Sequence, residues 1–588
     1  MRVSGGHRDN WVVAFVYRPD VADRLDGSWP RDGPVAGIGE RLTGPFAAQR
    51  LPAEPALRSR RILLLLVAAF LARGAYLSVA LPYGAPLDEP FHYAYASFFA
   101  AEGRPPRGDE LSISVEERRA SFALPRPSVW DQSETGNAYF YRLGAAERAR
   151  RRAEAFAFRH AERTEWCFAN YESQQPPLAY ALSIPLLRIL ADAPIDKRLL
   201  ALRLFGALLA TTAVPAVYAL MRRFLERPTA LTATAAYVAF PGLGMFVGRF
   251  TNDDLALPLM AGVLLMLVVV ARGGLTPYRA AGLATLLAAG LWTKLYFLAM
   301  LPAVLSAAAL APKPARRRAL TLAAGTVVAA GISILPWLAR QRAATGDWLG
   351  TKETVWARAM GITAFEQLRA LRWFVSPGPL AILGRTFVWP GTWTWIGAPW
   401  PVSYAMTAGL VAVALFVQLP ASEAARRGVA ALALALSWFL AAQAFHATAF
   451  TAMARHTHTA PAGHEGWYLL SLLPVLLLAG EAIGRTRRRA FAALAALGLL
   501  SDAVLQFGFL PACYAGILGV PGVPLTAGFA LAARPGIAFP ILGVFSLTAW
   551  RGRWIAALAI VWLALLAAAI ALAGRVRQVP DARPSAGG

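Results

Sequence analysis

Cysteine and acidic residues are scarce in this chain. The two cysteines, Cys167 and Cys513, lie far apart and match no metal-ligand spacing. That excludes a disulfide-rich scaffold and a cysteine-based zinc site, and leaves room for one bridge at most. Charged residues make up only 16% of the 588, and 34 Asp and Glu stand against 58 Lys and Arg. Amphipathic spacing is also missing, because the 57% of apolar residues come in long blocks separated by short basic stretches. This excludes an ordinary water-soluble domain and defines an all-α polytopic membrane protein.

Apolar runs at 62–81 (ILLLLVAAFLARGAYLSVAL), 255–271 and 554–574 reach or approach the roughly 20 residues a helix needs to cross about 30 Å of hydrocarbon. Helices are the expected spanning form because they satisfy their own backbone polar groups. The formal charge of +24 would suit nucleic acid, but most of the Lys and Arg excess lies in short loops between apolar runs. That is the positive-inside pattern, so the charge reads as topology and no nucleic-acid partner is expected. Residues 1–60 are polar and lack the apolar centre of a secretory signal; they read as a disordered cytoplasmic tail or an overlong start. RSRR at 58–61, followed by the first apolar run, reads as an uncleaved signal anchor with residue 82 outside.

From that anchor the basic clusters count the crossings. Arg222 and Arg223, Arg272 and Arg279, Arg316 to Arg318, Arg426 and Arg427, Arg485 to Arg489, and Arg551 and Arg553 are expected in the cytoplasm. About thirteen spans follow, near 62–81, 198–221, 229–248, 255–271, 280–293, 295–311, 319–339, 401–419, 428–446, 467–483, 490–510, 537–550 and 554–574. PPLAYALSIPLLRIL, 176–190, is short for a crossing and would upset the charge pattern, so it is expected to dip in from the outer face and return. The alternative is a full span with a paired correction elsewhere. Three outer regions remain: 82–197, 340–400 with seven tryptophans expected as interfacial anchors, and the histidine-rich 447–466. Segment 144–165 reads as a charged helix, either along the membrane surface or solvated. Two modules are expected, 62–350 carrying the site and 351–588 completing the membrane domain.

PLDEPFHYAYASFF, residues 86–99, sits at the outer end of the first span and packs Asp88, Glu89 and His92 into five positions. Ionisable groups beside hydrocarbon are costly, so the cluster marks a candidate site, its competitor being a helix cap beside an aromatic belt. Asp88 and His92, four apart, would share a helical face, with Glu89 pointing elsewhere. A second acidic group, Asn252, Asp253 and Asp254, falls where the chain returns to the outer surface, again with capping as the competing role. Lys294 is expected at the outer turn of a tight hairpin in an otherwise uncharged stretch, where it is either a site cation or a snorkelling lysine. The loop RHTHTAPAGHEGW offers Arg455, His456, His458, His464 and Glu465, better suited to contacts with a sugar or phosphate, or to solvent, than to zinc.

The order of the first span, then PLDEPFHYAY, YESQQPPLAYAL, RLLALRLFGALLATTAVPAVYALMRRFL, TNDDLAL and LWTKLYFLAMLPAVL resembles bacterial integral-membrane glycosyltransferases of the GT-C superfamily. The resemblance is to the relatives of aminoarabinose transferase and of protein O-mannosyltransferase, including an uncharacterised bacterial branch. The resemblance covers roughly 62–350; beyond it there is only a pattern of spans and outer loops. It implies a helical membrane enzyme that takes a sugar from a polyprenyl-phosphate carrier at the outer face of a bacterial inner membrane and passes it to a glycan, lipid or protein acceptor. It implies an essential carboxylate in the first outer loop, here Asp88 with Glu89 beside it. It also implies a second acidic position among Asn252, Asp253 and Asp254, and a lysine at the position of Lys294. Where similar sequences show a Gly-Arg-Tyr type segment, this chain has AGHEGWYLL, with His464 and Glu465 in place of the arginine.

The chemistry suits these groups. One carboxylate acting as general base on the acceptor hydroxyl suffices for single-step inversion. A cation facing the departing lipid phosphate stabilises its growing charge, the candidates being Lys294, Arg249, Arg340, Arg342 and Arg455. His92 and Gln175 are expected to bind donor or acceptor. No cofactor is required by the pattern; a divalent ion, Mg2+ or Mn2+, held by Asp88 and Asp253 is the exception, and it would need further oxygen ligands. The competing reading is a lipid flippase or an ion-coupled transporter, against which stand the charges gathered at one membrane face and the lack of an internal repeat.

Overall fold

The computed structural model describes residues 53–84, 88–123, 137–157, 165–374, 376–389, 406, 422–457, 466–479, 487–515 and 534–575. Among these, seven helices are long and apolar enough to cross a membrane: Leu57–Ala80, Ile195–Met221, Asp253–Gly273, Lys313–Thr345, Glu423–His456, Arg488–Tyr514 and Gly552–Arg575. Helices dominate, and the only strands among the described residues are the short antiparallel pair Leu111–Ser114 and Trp166–Ala169 in the first outer region. A single apolar core runs from Ile62 on the first helix to Ala573 on the last. The two stretches expected as separate modules therefore share it.

The expected count of about thirteen spans is not reproduced, and backbone chemistry explains most of the difference. The 229–248 run is two helices, Arg227–Ala239 and Pro241–Val247, because Pro241 has no N–H to continue the first. Helix Pro277–Leu291 has 15 residues, about 22 Å at 1.5 Å each, and is followed by the 3-10 turn Leu295–Ala299 and the helix Met300–Ala309. The 467–483 run opens as a 3-10 helix, Gly466–Leu472, before the short helix Leu473–Ala479. The expected span 537–550 is an 11-residue helix, Pro535–Phe545, about 16 Å long and too short to cross. The 401–419 run lies outside the described residues apart from Met406.

The break at Phe240–Pro241 lies inside the bundle and is mended by a charge. Arg73 of the first helix, fully buried, donates to the carbonyls of Val238, Phe240 and Pro241 at 3.0 Å each and pairs with Asp502 at 2.5 Å. Carbonyls orphaned by the break thus find a donor where no water reaches them. Gly244 makes room for this, since a Cβ there would sit 2.5 Å from the Arg73 guanidinium.

Helix Leu178–Ile189, with Pro185 inside it, has 12 residues, about 18 Å, and turns at 191–194 into the long helix beginning at Ile195. Its length falls short of a crossing. One orientation expected from charge is reversed. Leu547 N–H donates to Val79 at the outward end of the first helix at 3.0 Å, and Arg152 of the first outer region donates to Ser546 at 2.7 Å. At the other end of the last helix, Arg488 donates to Ala573 at 2.6 Å. Arg551 and Arg553 thus share the membrane face of residue 82 and the first outer region, opposite Arg488. The charge count fails here because the short 535–545 helix does not cross.

The remaining expectations for the outer regions fare unevenly. The charged segment folds as helix Ala145–Phe156, laced by Arg150–Glu147 and Arg150–Glu154 pairs. Of the tryptophans expected at the interface, Trp389 is fully buried in the core, while Trp348, Trp356 and Trp373 are exposed.

Candidate functional site

Local backbone chemistry brings the outer loops together. Asp88 ends the first loop with φ 54° and ψ 4°, a left-handed conformation unusual for a residue with a side chain. Its carbonyl accepts from the N–H groups of Phe91 and His92 and so starts helix Glu89–Glu102, but its carboxylate makes no capping hydrogen bond. The competing role as a side-chain cap is thereby set aside. Asn170 caps the 3-10 turn Tyr171–Gln174 by accepting from Glu172 N–H at 2.8 Å and donates to the Phe91 carbonyl at 2.8 Å, which ties this turn to the Asp88 helix. Leu178 N–H donates to the Trp292 carbonyl at 2.9 Å and anchors the half-helix beside the Lys294 break.

These segments enclose a cavity of about 350 Å³ lined by Asp88, His92, Glu172, Gln175, Arg249, Asp253, Lys294 and Glu353 among others. Lys294 Nζ donates to Asp253 Oδ1 at 2.6 Å, and Arg249 to Oδ2 at 3.2 Å, so one carboxylate holds two cations. The Lys294 ammonium also lies 5.4 Å from the Tyr296 ring and 5.7 Å from the Tyr468 ring. His92 Nδ1 shares a 2.7 Å hydrogen bond with the Tyr180 hydroxyl. Burial, reinforced by the nearby Arg249 and Lys294 charges, holds its imidazole well below the usual range, which keeps it neutral. Leu295, Leu298, Phe439 and Phe445 give the lining an apolar part, with Gln443 and His446 among them; Phe445 is 66% exposed, so the cavity wall is continuous with the outer surface of the helices.

Asp88, His92, Gln175, Asp253 and Lys294 thus line one cavity; other candidates do not. Glu89, expected beside Asp88 in the chemistry, is not in the cavity. It is fully buried in a bidentate pair with Arg203, at 2.7 and 2.5 Å, and accepts from Phe250 N–H at 3.0 Å. Arg203 in turn donates to the carbonyls of Ser78, Leu81 and Pro82, so the pair fastens the end of the first span and leaves Glu89 no access to substrate. Asn252 stands behind the wall, donating to Gln175 Oε1 at 3.2 Å and to the Thr293 carbonyl at 3.3 Å. Asp254 turns toward the helix at Gly206 and accepts from Thr251 N–H at 3.1 Å.

Arg455 is exposed and lies over the Trp373 ring at 4.6 Å, off the cavity. Arg340 donates to the Pro105 and Pro106 carbonyls and Arg342 to that of Gly346, which spends both on loop structure. His458, His464 and Glu465 lie outside the described residues. A divalent ion between Asp88 and Asp253 does not fit the groups present. Both Asp253 oxygens face cations, and the described residues hold no cluster of three His, Cys, Asp or Glu arranged for a metal.

Two acids were not singled out from the sequence. Glu172 is 3% exposed, Glu353 is 1% exposed, and both line the cavity. Glu353 accepts from the Tyr171 hydroxyl. Burial and the charge of Asp88 hold the Glu172 carboxyl well above the usual carboxylate range, against the opposing pull of Lys294. Neither had a local signal: Glu172 lies in YESQQPPL, six residues before the helix that starts at Leu178, and nothing in that stretch sets it apart.

Residues 175–339 match the family model described as dolichyl-phosphate-mannose-protein mannosyltransferase. The match falls within the stretch on which the sequence resembles GT-C superfamily glycosyltransferases, and it supports that resemblance. No curated protein matches the chain. Among solved structures, the chain is similar to ArnT from Cupriavidus metallidurans bound to undecaprenyl phosphate, with 14% identity over 88% of this chain and 77% of that one and a TM-score of 0.44. Its apo form gives the same identity and coverage with a TM-score of 0.43. The Archaeoglobus fulgidus oligosaccharyltransferase in apo form gives 12% identity over 84% of this chain and 56% of that one, with a TM-score of 0.39.

Proposed function

We propose that this chain is a membrane glycosyltransferase that moves a sugar from a polyprenyl-phosphate-linked donor to an acceptor at the outer face of a bacterial inner membrane. The observation that carries the reading is the cavity itself. It is lined by a left-handed Asp88 and the Lys294–Asp253–Arg249 cluster together with apolar groups that run out to the exposed Phe445. A polar reaction centre and a greasy carrier need these two surfaces side by side.

In this reading the acceptor oxygen bonds to the anomeric carbon as the bond from that carbon to the phosphate oxygen breaks, with inversion. The acceptor's proton passes to Asp88, half-buried and without a capping duty. Lys294 and Arg249 face the charge that gathers on the departing lipid phosphate. Asp253, by holding both, fixes their positions and keeps them from drifting into solvent. Neutral His92 is left to accept or donate one hydrogen bond to a sugar hydroxyl.

The test is Asp88→Asn in proteoliposomes supplied with lipid-phosphate-linked sugars. General-base catalysis contributes about 10² to 10⁴, so transfer is expected to fall by that factor while the protein stays folded. Activity within about tenfold of wild type removes Asp88 from the role.

A further inference from the structure

The cavity wall carries more carboxyls than cations. Asp88, Glu172, Asp253 and Glu353 face only Arg249 and Lys294 among the lining residues described. An anionic phosphodiester would enter a surplus of negative charge, which a neutral carboxyl would lessen, and of the four Glu172 is the best placed to be neutral. Asp253 is held by two cations, Glu353 accepts from Tyr171, and Asp88 is half-exposed to water. Glu172 is 3% exposed and its Oε2 is enclosed without a hydrogen bond; Glu353 Oε2 is likewise unpartnered, but Glu353 Oε1 already accepts from the Tyr171 hydroxyl. The nearest basic nitrogen, Nδ1 of His92 at 4.0 Å, is beyond hydrogen-bond reach and already engaged with Tyr180.

We propose that Glu172 keeps its proton in the resting cavity and donates it, in a hydrogen bond, to an oxygen of the anionic phosphodiester bound beside Lys294 and Arg249. The proposal rests on the reading of the cavity as the donor site. The protonated carboxyl is a donor that adds no charge, so it complements the two cations without cancelling them. Once ionised it becomes acceptor-only and repels the same oxygen. The groups around it are Asp88 and His92 from the first loop and its helix, Tyr95 and Tyr180 with their rings stacked at 3.9 Å, Tyr171 next to it in the chain, and Asp253, Lys294 and Glu353 of the same cavity. Burial outweighs all of them in favouring the neutral form, with Asp88 adding to it and Lys294 opposing.

The probe is farnesyl methyl phosphate, a diester whose single charge is constant from pH 6 to 9, titrated by calorimetry into the purified full-length protein in detergent. Wild type is expected to lose at least tenfold in affinity across that range as Glu172 ionises. Glu172→Gln, which keeps a donor but cannot ionise, is expected to bind with no pH dependence, and Glu172→Ala to bind at least tenfold more weakly than Glu172→Gln throughout. If Glu172→Ala does not fold, the Gln variant alone decides. A Glu172→Gln profile that falls with pH as wild type does overturns the proposal but leaves the donor-site reading standing. No binding by folded wild type at any pH overturns both.

Discussion

Asp88 and Glu89 are adjacent carboxylates with opposite surroundings. Asp88 faces the cavity from a left-handed turn; Glu89 closes a fully buried pair with Arg203 that also collects three carbonyls at the end of the first span. Removing one partner of a buried ion pair strands the other and costs about 3–5 kcal/mol. Glu89→Gln is therefore expected to lower the Tm and the yield of monodisperse protein, with the folded fraction retaining phosphodiester binding. A stable Glu89→Gln protein that has lost transfer as completely as Asp88→Asn would return Glu89 to the chemistry.

Glu172 makes a pH prediction of its own. Its folded pKa is raised, so the unfolded state releases the proton first and stability falls as pH rises from the ordinary Glu range through the raised value. The loss is about 1.4 kcal/mol for each pH unit traversed. Glu172→Gln should melt above wild type at pH 8, with the gap closing toward pH 4. A constant gap would mean that Glu172 titrates alike in both states. Nothing local in YESQQPPL distinguishes this acid from a solvated one; its surroundings come from Asp88, Tyr180 and Glu353, which are distant in sequence. Asp88 was legible because a charge beside an apolar run is costly wherever it folds, and Lys294 for the same reason.

At the scale of elements, the breaks in the helices were the part least legible from apolar runs. Pro241 could be seen as an interruption, but not that Arg73, more than 160 residues earlier, supplies the donor that makes a break tolerable inside the bundle. The same pair bears on the transporter reading. Arg73 and Asp502 are intramembrane charges, but both are fully buried and Arg73 is committed to backbone carbonyls, so they hold a helix junction and line no described cavity. Gly244→Ala tests this junction, because its Cβ would stand 2.5 Å from the Arg73 side chain. Overpacking of this kind costs about 1–3 kcal/mol, which should appear as a lower Tm with phosphodiester affinity changed less than twofold in the folded fraction. An unchanged Tm would mean that the guanidinium is free to move.

At the scale of the whole molecule, the long helices were legible because about 20 apolar residues have few other fates, whereas the shorter runs were not, because half-length helices carry the same composition. Charge put Arg551 and Arg553 on the face opposite the first outer region, where the structure does not have them. Hydrogen bonds from Leu547 to Val79 and from Arg152 to Ser546 join this turn to the outward end of the first span and to the first outer region. Labelling decides it. In a Cys167→Ser background, which leaves only the buried Cys513, cysteines introduced at Met360, Arg551 and Arg317, all exposed, are treated with a membrane-impermeant maleimide from outside intact cells. Cysteines at 360 and 551 should react, and one at 317 should react only after lysis. Protection of 551 together with 317 would restore the charge-based orientation and require the 535–545 helix to cross after all. Reaction of 317 alone would invert the whole bundle and place the cavity, with Asp88 and Lys294, on the cytoplasmic side.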